Sequence, residues 1–218
     1  MLDHPIVDLV SAVRQSFERA LLERQAVEER FQVDVFLGDL SWETSYSLPG
    51  EGQPPRVRAD LSLDWPTWSQ TAYRSWSIGE TPDEMPEVVV EVAMRIQRLA
   101  ERPTADRVLA VLPAASPELS GEPLERSATT IEEVRGDPDG ISGAGRAGAE
   151  PGGGTAPAVR WAVEATYEGS IRLDEGQLED AARIAPVVDE LTRWVSSTLV
   201  RLADLPLAFL PPDPPDGD

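Results

Sequence analysis

From Val57 to Trp65 every second residue is apolar: Val57, Ala59, Leu61, Leu63 and Trp65 alternate with Arg58, Asp60, Ser62 and Asp64. A period of two sends the two sets to opposite faces of a pleated strand, so this stretch belongs in a sheet with one dry and one wet side. The same period runs through Phe31, Val33, Val35 and Leu37, then through Leu40, Trp42, Thr44, Tyr46 and Leu48, with Gly38-Asp39 as a tight turn between them. Pro49 to Pro55 reads as a loop. After Pro66, the residues Trp68, Ala72, Trp76 and Ile78 share one parity, interrupted by Gln70 and Arg74, and predict a fourth strand of an antiparallel meander.

Helices are predicted on either side. Ile6, Val10, Val13, Phe17, Ala20 and Leu21 recur at helical spacing within residues 3–30, behind Asp3 as cap and Pro5 in the first turn. Thr81-Pro82-Asp83-Glu84 has the form of a capping box, and Met85, Val88, Val89, Val92, Ile96 and Leu99 supply an apolar face for a helix to about Glu101. A short strand over Arg107–Leu112 follows. Near the other end, Val159, Trp161, Val163, Ala165 and Tyr167 alternate, Glu168-Gly169 suggests a turn, and Ile171–Leu173 a further short strand. Asp174 and Gln177 offer a capping box for a last helix to Asp204. Its seam is Leu178, Ala181, Ala185, Val188, Thr192, Val195, Leu199 and Leu202, with Pro186 expected to kink or split it.

Residues 113–157 are rich in Gly, Pro, Ser and acids, and residues 205–218 in Pro and Asp. Both read as disordered, the first as an insertion and the second as a tail in which Leu207–Leu210 has the make-up of a short docking motif. The expected architecture is α+β, an antiparallel sheet of about four meander strands plus one to three more, packed against three helices. Residues 1–112 and 158–204 would form one domain around the insertion.

Composition excludes much chemistry. The chain has no cysteine, no lysine and no asparagine, and one histidine, His4. Disulfides, thiolate nucleophiles, Schiff bases, His-based triads and Cys-rich zinc sites are therefore not expected. The joint loss of lysine and asparagine, both written in AT-rich codons, points to a GC-rich bacterial genome. The net charge is −20, which repels phosphate backbones and anionic lipid, keeps a chain soluble and suits a partner with a basic patch. No run of 18 apolar residues and no signal-peptide pattern is visible, so a cytoplasmic protein is expected.

Candidate sites are few. Three of the six tryptophans, Trp65, Trp68 and Trp76, lie close together beside Arg74. They read chiefly as core, and alternatively as a partner or ligand surface, though without the interleaved basic residues that a nucleic-acid platform needs. Gly143, Gly145 and Gly148 match GxGxxG, but no strand precedes them and no apolar helix follows, so they read as linker. Glu84, Glu87 and Glu91, at spacings of three and four, read as the solvated face of the second helix. Asp60, Ser62 and Asp64 read as the wet side of a strand. No serine stands in GxSxG. No catalytic, cofactor-binding or metal residue is assigned.

The order of elements resembles that of the small acidic chaperones of type III secretion and the related YbjN-like proteins, which alternate a helix, three strands, a helix, two strands and a helix. The resemblance covers element order in the segments 1–112 and 158–204; the four-strand meander and the insertion depart from it. It implies a protein-binding role and a homodimer. The expected function is thus a non-enzymatic, cytoplasmic protein-binding module, an adaptor or secretion-chaperone-like protein, acting through an acidic surface. The alternative is a small-molecule-binding domain, or an enzyme using carboxylates, with a pocket near Trp65, Trp68 and Trp76.

Overall fold

A computed structural model describes positions 11, 15 and 19 and residues 27–36, 39–135 and 159–212. Seven strands form one antiparallel sheet: β1 (Val27–Phe36), β2 (Asp39–Ser47), β3 (Val57–Trp65), β4 (Glu87–Leu99), β5 (Ala115–Leu119), β6 (Glu122–Arg135) and β7 (Val159–Arg172). Their spatial order is β1-β2-β3-β4-β7-β6-β5, so two meanders meet where β4 pairs β7. The helices described from end to end are α1 (Thr67–Ser77), α2 (Ala105–Leu109), α3 (Glu175–Glu179) and α4 (Ala185–Ala203), with a 3-10 turn over Ala181–Ile184. The class is α+β, and the sheet remains open.

The alternation in β3 is obeyed residue by residue, with all five apolar positions buried. Its register carries the pattern across the sheet. Leu63 faces Trp42 and Val90, Leu61 faces Thr44 and Val92, and Ala59 faces Tyr46 and Met94. On β7 the inner set is Val163, Ala165, Tyr167 and Ile171. Against this face lie Val188, Leu191, Trp194, Val195, Leu199 and Leu202 of α4, which complete the core. Trp194 meets Tyr167 edge-on, with ring centroids 5.0 Å apart.

Five expectations are overturned. Thr67–Ser77, expected as the fourth meander strand, is helix α1, and Glu87–Leu99, expected within a helix, is strand β4. The cause is the same in both. A spacing of four satisfies a period of two as well as one of 3.6. Trp68, Ala72 and Trp76 fit either, but buried Ser69, Gln70 and Tyr73 fit only a helix. In β4 the deciding residues are Val90 and Met94, which with Val88, Val92 and Ile96 make a strict alternation of buried positions. Ser69 then fixes α1 to the start of β4: its hydroxyl donates to the Glu87 carbonyl at 2.7 Å and accepts from the Glu87 amide at 2.8 Å.

Third, 107–112 is not a strand; α2 and a turn occupy it, burying Val108 and Leu112. Fourth, the stretch 113–157 opens with β5 and β6, in which Leu119 and Leu124 are buried in the core and Ile131 packs against it. The rest of that stretch, with Gly143, Gly145 and Gly148, lies outside the described residues. Fifth, the tail does not begin as free chain at 205, since Leu205, Leu207 and Phe209 pack on the core. After α1 there follow β4, a short helix and three strands, so the order of elements departs from that of the secretion chaperones.

Smaller differences concern boundaries. Ser11, Gln15 and Arg19 are helical, whereas Val27–Arg30, expected at the end of that helix, already belong to β1. Glu168 and Gly169 do not turn; β7 runs straight through them. Gly169 is there for contact, because a Cβ at this position would lie 2.9 Å from Leu124 Cδ2. The Asp174–Gln177 capping box forms with both hydrogen bonds, and Pro186 splits the last helix by starting α4 in its first turn. Among the described residues no helix is long and apolar enough to cross a membrane.

Candidate functional site

The four residues singled out around the tryptophan cluster do not share one surface. Trp65 ends β3 inside the core, 4% exposed, and meets Tyr73 of α1 edge-on at 5.9 Å. Its indole N–H finds no acceptor among the described residues. Trp76 packs half-buried against Tyr73 at 5.8 Å, while Trp68 and Arg74 on α1 are exposed. Burial pushes the Tyr73 phenol up from its ordinary pKa. The cluster is mainly the clasp that seats α1, helped by Gln70, whose amide donates to the Trp65 carbonyl at 2.9 Å.

The notable surface is the opposite face of the sheet, which carries the polar set of β3, β4 and β7. Asp60, Ser62 and Asp64 stand there, as their parity in the sequence indicates. Glu87 and Glu91 stand there too, on β4 rather than on a helix face; Glu84 precedes the strand. Strand register places Glu43, Ser62, Glu91, Glu168 and Glu125 directly opposite one another in sequence across β2, β3, β4, β7 and β6. This is a row of four glutamates with one serine and no base. Four strand steps of ~4.8 Å make it about 19 Å long.

Like charges directly opposite one another are unfavourable. Glu91 records this: its carboxyl is held above the ordinary glutamate range, first by loss of solvent and then by Glu168, Asp64, Glu164 and Glu43. Glu168 is steadied by the Ser127 hydroxyl, which donates to it at 2.7 Å. The arginines of this face are engaged elsewhere. Arg58 is paired with Asp60 at 2.8 Å. Arg95 donates to Glu164 of β7 at 2.9 Å and to Glu132 of β6. Desolvation opposes the charge on Arg95, but its bonds to Glu164 and Glu132 outweigh it and hold the guanidinium pKa above its usual value.

At the β2–β3 end of the row the face dips into an open groove of about 500 Å³, lined by Glu43, Ser45, Gln53, Arg58, Asp60 and Glu91 among others. The Ser45 hydroxyl donates to Asp60, and Ser62 donates to Asp64 at 3.1 Å. Gln53 enters from the loop between β2 and β3, which Glu51 anchors. Among the described residues no group of three or more acids or histidines is placed to hold a metal ion. The glutamate row escapes a reading of the chain alone because its members come from four strands, and only register brings them into line. The comparisons place the chain in no known group: no protein-family model, no curated protein and no solved structure matches it.

Proposed function

We propose that this chain is a non-enzymatic protein-binding module, an adaptor in the cytoplasm, whose working surface is the open acidic face of the sheet. The partner is a protein segment that carries basic side chains. The observation that carries this reading is the row Glu43, Glu91, Glu168 and Glu125. A folded chain gains nothing from aligning like charges across neighbouring strands, whereas a basic partner would turn that cost into attraction and a fast on-rate. On a helix, side chains three and four apart stand ~5–6 Å from one another, close to the ~4.8 Å strand spacing, so a basic helix laid across the strands fits the row.

Display of random peptides against the purified chain tests this. Recovered sequences should carry Arg or Lys at spacings of three and four, and should lose at least tenfold in affinity against Glu91→Gln/Glu168→Gln. The control Glu179→Gln, which removes a charge from α3, should bind as the parent does. Recovery of sequences without basic residues, or binding indifferent to the double substitution, would sink the proposal. A second reading rests on the groove, where Glu91 with its raised pKa stands beside Ser45 and Asp60. It is a small-molecule site for a compact cation, and it predicts ligand-induced shifts confined to β2, β3 and β4.

A further inference from the structure

Residues 205–212 run past the end of β4 as an extended segment. Leu99 bridges Phe209, the Ala100 amide donates to the Ala208 carbonyl at 2.9 Å, and the Leu210 amide donates to the Arg98 carbonyl at 2.7 Å. Arg98 is buried and takes φ 60°, a left-handed conformation that side chains keep only where the surroundings fix it. The segment then reaches the loop between β2 and β3 by two routes. The Phe209 ring lies 5.2 Å from the Arg56 guanidinium. Arg56 in turn donates to Glu51 Oε1 at 2.9 Å, and Glu51 Oε2 accepts from the Val57 amide at 3.0 Å. Further along, Pro212 sits on Gly52, where φ is 74° and a Cβ would come within 2.6 Å of the proline ring. The next residue, Gln53, is a wall of the acidic groove.

We infer that the segment 205–212 is a strap that sets the shape of the groove: seated, it holds Glu51, Gly52 and Gln53 in place, and released, it lets that wall move. The inference rests on the reading of the acidic face as the binding surface. It is attached by the two backbone hydrogen bonds, by one from the exposed Arg107 guanidinium to the Pro206 carbonyl at 3.0 Å and by the partly buried Leu205, Leu207 and Phe209, few enough for a segment that can leave.

The test uses the full chain with Phe209→Ala and, separately, Pro212→Gly, read by amide exchange in NMR and by the affinity for a fluorescein-labelled arginine nonapeptide. Phe209→Ala should speed exchange at least tenfold at Ala100, Leu210 and Val57, leave Val92 and Met94 protected, and change the peptide affinity at least threefold. Pro212→Gly should also change the affinity while Ala100 stays protected. Faster exchange at Ala100 and Leu210 without any change at Val57 or in affinity would refute the coupling. Should Phe209→Ala loosen Val92 and Met94 as well, the exposed Pro212 decides, and an unchanged affinity with its glycine variant refutes the strap. If the parent chain does not bind the peptide, the acidic-face reading fails, and the exchange at Val57 still decides whether the strap holds the loop.

Discussion

Gly169→Ala adds a single methyl group in the last third of β7, and its sign tests the register of β6 on the sheet. The new Cβ would lie 2.9 Å from Leu124 Cδ2, 3.3 Å from Leu124 Cα and 3.5 Å from the Pro123 carbonyl oxygen. Leu124 is 0% exposed, so its methyl has no solvent to retreat into, and the contact with its Cα involves backbone. Without that crowding the substitution would stabilise by about 0.4–1 kcal/mol, because alanine restricts the unfolded chain and Gly169 does not have a left-handed backbone. Overpacking a tight core site costs about 1–3 kcal/mol. The crowding wins, and the expected result is a loss of roughly 0.5–2 kcal/mol in urea unfolding followed by tryptophan fluorescence. Leu124→Ala alone should cost about 2–5 kcal/mol, as a buried leucine truncation does. The double variant should cost at least ~0.5 kcal/mol less than the sum, since the alanine methyl partly fills the void. If Gly169→Ala raises the midpoint, or the two effects add, Leu124 does not lie over Gly169 and β6 is not paired as described.

Three further outcomes are expected. Asp174→Ala removes the bond from the Gln177 amide to the Asp174 carboxylate and should cost ~1 kcal/mol, while Gln177→Ala removes the reciprocal bond from the Asp174 amide, so the double variant should cost more than either single one. Leu199→Ala, at a fully buried position where α4 meets the sheet, should cost about 2–5 kcal/mol by thermal or urea unfolding, against less than ~0.5 kcal/mol for the exposed Arg193→Ala. The folded chain holds the Glu91 proton more tightly than the unfolded chain, so stability should fall as pH rises through the interval between the ordinary glutamate pKa and the raised one. Glu91→Gln should therefore stabilise at neutral pH, by no more than ~0.5 kcal/mol given its exposure, and the gain should vanish in acid and shrink in 0.5 M salt, an order-of-magnitude argument from screening.

How far the fold was legible depended on whether one period could be told from the other. In β3 the polar residues Arg58, Asp60, Ser62 and Asp64 separate every apolar pair, and the strand was read to its ends. In α1 and β4 the apolar residues at spacings of four fit a helix and a strand equally well; the burial of Gln70 and the run Val88-Val89-Val90 tell them apart. In β6 there was almost no signal, because Ser127, Ala128, Thr129 and Thr130 are exposed and pairing with β7 alone holds them in the sheet. The seam of α4 and the Asp174 cap are local patterns, and both were visible. The tail hides its order because proline and aspartate dominate it, although Leu207 and Phe209 alternate as an extended edge segment would.

The acidic face raises a question about energy that the core does not. The inner positions of β3 and those of β4 from Val88 to Ile96 are filled by apolar side chains that gain from being there. The outer positions had no such constraint, and alternating signs across the strands would have added a few tenths of a kcal/mol per pair. Arg95, reaching Glu164 and Glu132 across two neighbouring strands, shows that this solution is available to the sheet. It is not used at Glu91, whose neighbours are Ser62 on one side and Glu168 on the other. Solubility alone does not call for such a row, since a net charge of −20 can be scattered over the surface with less repulsion. Aligning Glu43, Glu91, Glu168 and Glu125 across the outer side of the sheet, beside a groove whose wall the C-terminal segment touches, is what a basic partner would turn from a cost into an attraction.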